Sequence, residues 1–190
     1  MKTFKKLLMK IIVFLMIIIL VGIVRVQPLQ EEDMDVVLTN DEEEFYIDEG
    51  LKEEFYYLPE DIQKQLIVNN WRILYTYDLK MDGESWAGIT DYDEKIIYID
   101  KEYSEKGLTL YHEVAHVLDY YNHYSDKEDF KEMKKKTVNY YRKNYFKVMY
   151  DDYKYFCNDD SEYFAELFAL YMMNMVQNKN VQNYYCMFVK

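Results

Sequence analysis

Apolar and polar positions along the chain follow two periods, and each change of period marks an element. Pro59–Asn70 sets Ile62, Leu66 and Asn69 on one side at helical spacing, with Pro59 at a first-turn position where a missing N–H costs little. Arg72–Leu79 (RILYTYDL) alternates as a strand does. Trp86–Thr90 and Lys95–Asp100 flank the polar stretch Asp91-Tyr92-Asp93-Glu94, which predicts a hairpin. Gly107–Tyr121 returns to a helical period, with Tyr111, Val114 and Leu118 on one face. Lys127–Phe146 reads as a long charged helix and Asp159–Met175 as an amphipathic one. The last dozen residues favour neither period, and no internal repeat is visible. A helix, a few strands and then helices predict an α+β fold.

One stretch has no period at all. Ile11–Val24 is a run of 14 uncharged apolar residues preceded by Lys2, Lys5, Lys6 and Lys10. That order predicts a bacterial export signal or signal anchor over residues 1–25. Adding Leu7–Met9, with Lys10 snorkelling, brings the run closer to a hydrocarbon core of about 30 Å. Gly22 is the only small residue near the expected cleavage region, which favours an uncleaved anchor in the membrane. Cleaved or not, the lysines stay inside and the rest is exported, as an anchored or a secreted body. Residues 26–50 are dense in Asp and Glu and read as an acidic linker, which leaves 51–190 as one domain.

Composition narrows the class. Hydrophobic residues make up 50% and charged residues 31% of the 190, a globular balance. Gly 5 and Pro 2 exclude collagen-like architecture, and Cys157 and Cys186 are too few for a disulfide-dense scaffold. Beyond residue 25 the chain carries 18 basic against 35 acidic residues, a net charge of −17. Such a body repels phosphate backbones, so no nucleic-acid partner is expected. The 22 tyrosines suggest no particular chemistry.

His112-Glu113-Val114-Ala115-His116 fits H-E-x-x-H inside a predicted helix. At about 100° per residue the two histidines sit roughly 40° apart on one face, one turn from each other. Two imidazoles in that relation can point nitrogens at one tetrahedral metal, and Glu113 lies to the side, within reach of a water. The plainer alternative is a pair of surface histidines. A third ligand is needed. The metzincin spacing fails, because Asp119 stands where Gly is required and Asn122 where the third His is required; His123 comes one place late and reads as a loop residue. A later helix offers Glu162, Ala165, Glu166, Ala169 and Met173 on one face, opposite Phe164, Leu167, Phe168 and Tyr171. One carboxylate there can bind the metal while the next fixes a ligand histidine. Asp159-x-x-Glu162 also fits a capping box, so Glu162 has two readings.

The stretches His112-Glu113-Val114-Ala115-His116-Val117-Leu118-Asp119 and Glu162-Tyr163-Phe164-Ala165-Glu166-Leu167-Phe168, in that order, resemble the anthrax lethal-factor-like zinc metallopeptidases, a group that includes the Pro-Pro endopeptidases. Tyr155, seven residues before Glu162, matches the tyrosine of that family, and weaker similarity runs from about Trp86 to Thr109. The likeness covers roughly the last hundred residues. Ala115 stands where the family often has Gly. The resemblance implies a gluzincin-like catalytic domain that cleaves polypeptides. His112, His116 and Glu162 would hold one Zn2+, Glu113 would be the general base and Tyr155 would stabilise the oxyanion. Glu166 would stand behind a ligand; Asp119 would do the same or be a last-turn surface acid. Gly88, Ile89 and Thr90 would belong to an edge strand that pairs with an extended substrate, or to an ordinary hairpin. Two other functions stay open: a catalytically silent binding module of the same shape, against which the intact Glu113 argues, and a zinc hydrolase of non-peptide amides. An exported location would permit a Cys157–Cys186 disulfide, and two separate thiols fit equally well. Oligomeric state and bond preference have no signature in the chain.

Overall fold

Strand and helix periods resolve into an α+β arrangement in the computed structural model, which describes residues 34–38, 44–81, 83–150, 153–187 and 189. In chain order, β1 (Met34–Leu38) and β2 (Glu44–Asp48) lead through a 3-10 turn into α1 (Lys52–Tyr57) and α2 (Glu60–Val68). Then come β3 (Arg72–Thr76), β4 (Lys80–Met81), β5 (Glu84–Ser85), β6 (Gly88–Asp91) and β7 (Ile96–Asp100). The helical half holds α3 (Lys106–Asn122), α4 (Glu128–Tyr141), α5 (Tyr153–Asn158), α6 (Asp160–Met172) and α7 (Lys179–Tyr185). A π-helical turn, Arg142–Phe146, and a last turn, Lys147–Met149, continue α4.

Five strands form one mixed sheet in the order β1-β2-β3-β7-β6, and β4 pairs with β5 in a separate ribbon. The central pairs β2–β3 and β3–β7 are parallel, while β1 and β6 run antiparallel at the edges. Alternation sorts the side chains of the middle strands. Ile73, Tyr75, Ile97 and Ile99 enter the main core, whereas Leu74, Ile96 and Tyr98 face a smaller cluster with Leu79. All five residues of β7 are buried: helices cover one face, and Leu79, Trp86 and Ile89 pack against the other.

Two helices dominate the main core. Leu110, Tyr111, Val114, Ala115, Val117 and Leu118 bury one side of α3, and every residue of α6 from Tyr163 to Leu170 is buried. The alanines of α6 lie among them and let α3 approach closely. Left-handed backbone at His123 (φ 50°) ends α3, and its N–H donates to the Asp119 carbonyl at 2.7 Å. His123 is exposed, as a loop histidine would be.

The linker boundary differs from expectation. Glu44–Leu51 belongs to the folded body: Phe45, Ile47 and Leu51 are buried, and β2 joins the sheet beside β3. The acids around them had masked a short alternating pattern. The C-terminal stretch, undecided by period, forms α7, started by Asn178 and packed through Val181, Tyr184 and Tyr185. Cys157 is buried, Cys186 is exposed, and both are free thiols. The apolar segment 1–25 and most of 26–43 lie outside the described residues; among those described, no helix is long and apolar enough to cross a membrane.

Candidate metal site

One turn of α3 brings His112 and His116 together with their Nε2 atoms 3.1 Å apart. The first turn of α6 aims Glu162 at the same point, with Oε2 3.3 Å from His112 Nε2 and Oε1 3.4 Å from His116 Nε2. Metal–ligand bonds of about 2.0–2.1 Å at tetrahedral angles set ligand atoms roughly 3.3–3.4 Å apart. Each imidazole meets a different Glu162 oxygen at about that spacing, one ligand atom from each of the three side chains lies within 4.8 Å of the others, and this His-His-Glu group could hold a metal ion. Capping and liganding do not compete at Glu162. Asp159 Oδ1 caps α6 by accepting from the Glu162 backbone N–H at 3.0 Å, which leaves the Glu162 side chain free to turn inward.

Electrostatics fit a cation as well. Burial alone would raise the Glu162 carboxyl, but the His116 charge and the His112 hydrogen bond outweigh it and pull it down to about 2. Burial likewise opposes charge on His112, yet hydrogen bonds to Glu162 and Glu166 hold its pKa well above the usual imidazole value. Two imidazole nitrogens facing one carboxylate favour a positive charge among them, as a proton or as a cation. A divalent ion held by these three side chains would supply it.

Behind His112 stands Glu166, 3% exposed, whose Oε2 accepts from His112 Nδ1 at 3.0 Å. That bond fixes the tautomer and leaves Nε2 bare for a ligand bond. The other oxygen of Glu166 accepts from the hydroxyls of Tyr150 at 2.7 Å and Tyr145 at 3.2 Å. Burial first, then the neighbouring Glu166 charge, raise both phenols, so both remain donors. Three donors offset the cost of burying this carboxylate. Asp119 is only 8% exposed and so is not a surface acid; its carboxylate accepts from Ser125 N and Ser125 Oγ, each at 2.7 Å, and from Ser161 Oγ at 2.9 Å.

Glu113 is pinned from the sheet side. Thr90 Oγ1 donates to Glu113 Oε2 at 2.7 Å, so the Thr90 side chain is committed to the carboxylate rather than to a substrate. Gly88 lies so close that a Cβ there would meet Glu113 Cγ and Oε1 at 2.8 Å and Thr109 Cγ2 at 2.9 Å. Overpacking of this kind costs about 1–3 kcal/mol. Gly88→Ala is expected to lower unfolding stability by that amount in urea melts, and a wild-type midpoint would show that β6 has room to retreat.

Ile89 points the other way, onto the cluster of Leu74 and Tyr98. Asp100 N donates to Ala87 O at 2.8 Å, and the register pairs Gly88 with Ile99 and Thr90 with Ile97. Antiparallel hydrogen bonding alternates, so the backbone groups of Gly88 and Thr90 are directed to the outer edge of the sheet, beside Glu113. The Tyr155 side chain on α5 reaches Glu162 and feels Glu113. Burial first, then Glu162, raise its pKa, so its hydroxyl stays protonated.

Several partners had no signal in the sequence: Ser161, Ser125, Tyr145, Tyr150 and the Thr90–Glu113 bond. Tyr92 is another. It stacks on Tyr120 with ring centroids 4.8 Å apart and meets Trp71 edge-on at 6.2 Å. Burial, then the charges of Glu113 and Glu162, raise its phenol, so Tyr92 lies within electrostatic reach of the same group of side chains. No family model matches this chain, and neither a curated protein nor a solved structure is similar to it.

Proposed function

We propose that the protein is a zinc-dependent endopeptidase of the gluzincin type, acting outside the cell, as the resemblance to the lethal-factor-like metallopeptidases implies. The observation that carries this reading is the convergence of His112, His116 and Glu162, one ligand atom from each within 4.8 Å of the others, beside a Glu113 that adjoins the edge strand β6. Three protein ligands leave a fourth position open, which is the pattern of catalytic rather than structural zinc. Two nitrogens and one carboxylate also suit zinc among the common divalent ions.

An extended polypeptide would pair with the outward backbone groups of Gly88 and Thr90, which sets its scissile carbonyl over the His-His-Glu face. Zinc bound there supplies Lewis acidity toward a water and toward that carbonyl. Glu113, held by Thr90, accepts the proton that the attacking water loses and delivers it to the leaving amine as the C–N bond breaks. The Tyr155 hydroxyl donates to the carbonyl oxygen as it gains charge, a contact stronger in the transition state than in the ground state. Glu166 keeps His112 in the tautomer that offers Nε2.

The test is zinc content followed by cleavage of a diverse peptide library. One zinc per chain with cleavage supports the proposal. Stoichiometric zinc without cleavage of any peptide favours the binding module, and no zinc at all removes both.

Zinc binding should also move protons. Because His112 holds its proton to a higher pH than a free imidazole does, binding near neutrality must displace one. Affinity is therefore expected to tighten as pH rises, until the raised His112 pKa is passed. Calorimetric titration in two buffers of different ionisation heat reads the proton directly; an enthalpy indifferent to the buffer would contradict the assignment.

A further inference from the structure

The two imidazoles are not supported alike. His112 leans directly on a carboxylate, whereas the partner that the described residues give His116 Nδ1 is the Ser161 hydroxyl, at 3.4 Å. Ser161 Oγ has one proton, and Asp119 Oδ2 lies 2.9 Å away. The Ser161 hydroxyl donates to Asp119 Oδ2, so its proton points to Asp119 and a lone pair of Ser161 Oγ faces His116. His116 must then carry its hydrogen on Nδ1 and keep Nε2 bare. Nε2 is the atom that faces His112 Nε2 and Glu162.

We infer that Ser161 is the positioning residue of the second histidine: it relays the Asp119 carboxylate to His116 and so sets the tautomer and ring orientation that a metal ion needs. The inference rests on the reading of His112, His116 and Glu162 as ligands. Asp119 itself is clamped by Ser125 N and Oγ, so its carboxylate is a fixed end to the relay. Ser161 also directly precedes Glu162 in α6, and the same helical turn thus supplies one ligand and the support of another.

Loss of partners that orient metal-bound histidines typically weakens metal affinity about 10–100-fold. The contact to His116 is longer than the 3.0 Å one behind His112, so the low end, about 10-fold, is expected for Ser161→Ala. Ser161→Thr keeps the hydroxyl and is expected to retain zinc affinity. The α6 cap comes from Asp159 and survives either change. Asp119→Asn should weaken zinc binding in the wild-type background but add little to Ser161→Ala, because the relay is already broken.

The measurement is the zinc dissociation constant of the full chain, by competition with a chelating dye, for wild type, Ser161→Ala, Ser161→Thr and the Asp119→Asn pair, with melting curves alongside. A 10-fold loss in Ser161→Ala restored by Thr supports the relay. Wild-type zinc affinity in Ser161→Ala overturns it while leaving the peptidase reading intact. A wild-type chain that binds no zinc overturns both together.

Discussion

Glu113→Gln is expected to keep one zinc per chain and to lower kcat by about 10²–10⁴, the usual contribution of a positioned general base. The residue is not a ligand in the arrangement described: the three converging atoms come from His112, His116 and Glu162. Its carboxylate sits between β6 and α3, with Thr90 Oγ1 at 2.7 Å and Gly88 against its Cγ. Glutamine fills the same space, and its amide oxygen still accepts from Thr90, so the change removes basicity and little else. KM should stay nearly constant, because substrate pairing with β6 uses backbone groups that the substitution leaves alone. Zinc content and kcat measured together decide the matter. Equal loss of zinc and activity would make Glu113 a structural member of the metal site, and undiminished kcat would remove it from the chemistry.

The parts of this arrangement that were legible in the sequence are those encoded within one helix. His112 and His116 declare their shared face by spacing alone, and Tyr111, Val114 and Leu118 declare the opposite one, which is buried. Glu162 and Glu166 share a face for the same reason. The hairpin of β6 and β7 was readable because alternation and a polar turn occur together. What stayed hidden depends on long-range meetings. Ser161 meets His116 across 45 residues and Thr90 meets Glu113 across 23, and neither hydroxyl has a local pattern that announces its partner. Tyr145 and Tyr150 are two of 22 tyrosines and gain meaning only when the π-helical turn after α4 folds them onto Glu166. Phe45 and Ile47 were concealed by the acids around them. A five-residue strand between charges looks solvated until β3 pairs with it and the main core, Phe55 included, packs on Phe45 and Ile47.

The asymmetry between Glu162 and Glu166 carries the other large effect. Glu162→Ala is expected to abolish cleavage and to weaken zinc binding by more than the roughly 100-fold that bounds the loss of an outer partner. Two imidazoles 3.1 Å apart would remain, with no anionic donor to close the triangle. The fold should persist, since Asp159 caps α6 through the Glu162 backbone N–H and not through its side chain. Glu166→Ala should behave in the opposite sense. Zinc affinity falls only about 10–100-fold, because His112 keeps its place on α3 and loses only its support. Stability falls more, because the hydroxyls of Tyr145 and Tyr150 lose a buried charged acceptor. Zinc titrations and urea melts on the two variants separate a ligand from its prop. If Glu166→Ala stripped the zinc while Glu162→Ala retained it, the roles would be exchanged, and the 3.3 and 3.4 Å approaches of Glu162 to the two imidazoles would be an ordinary ion pair.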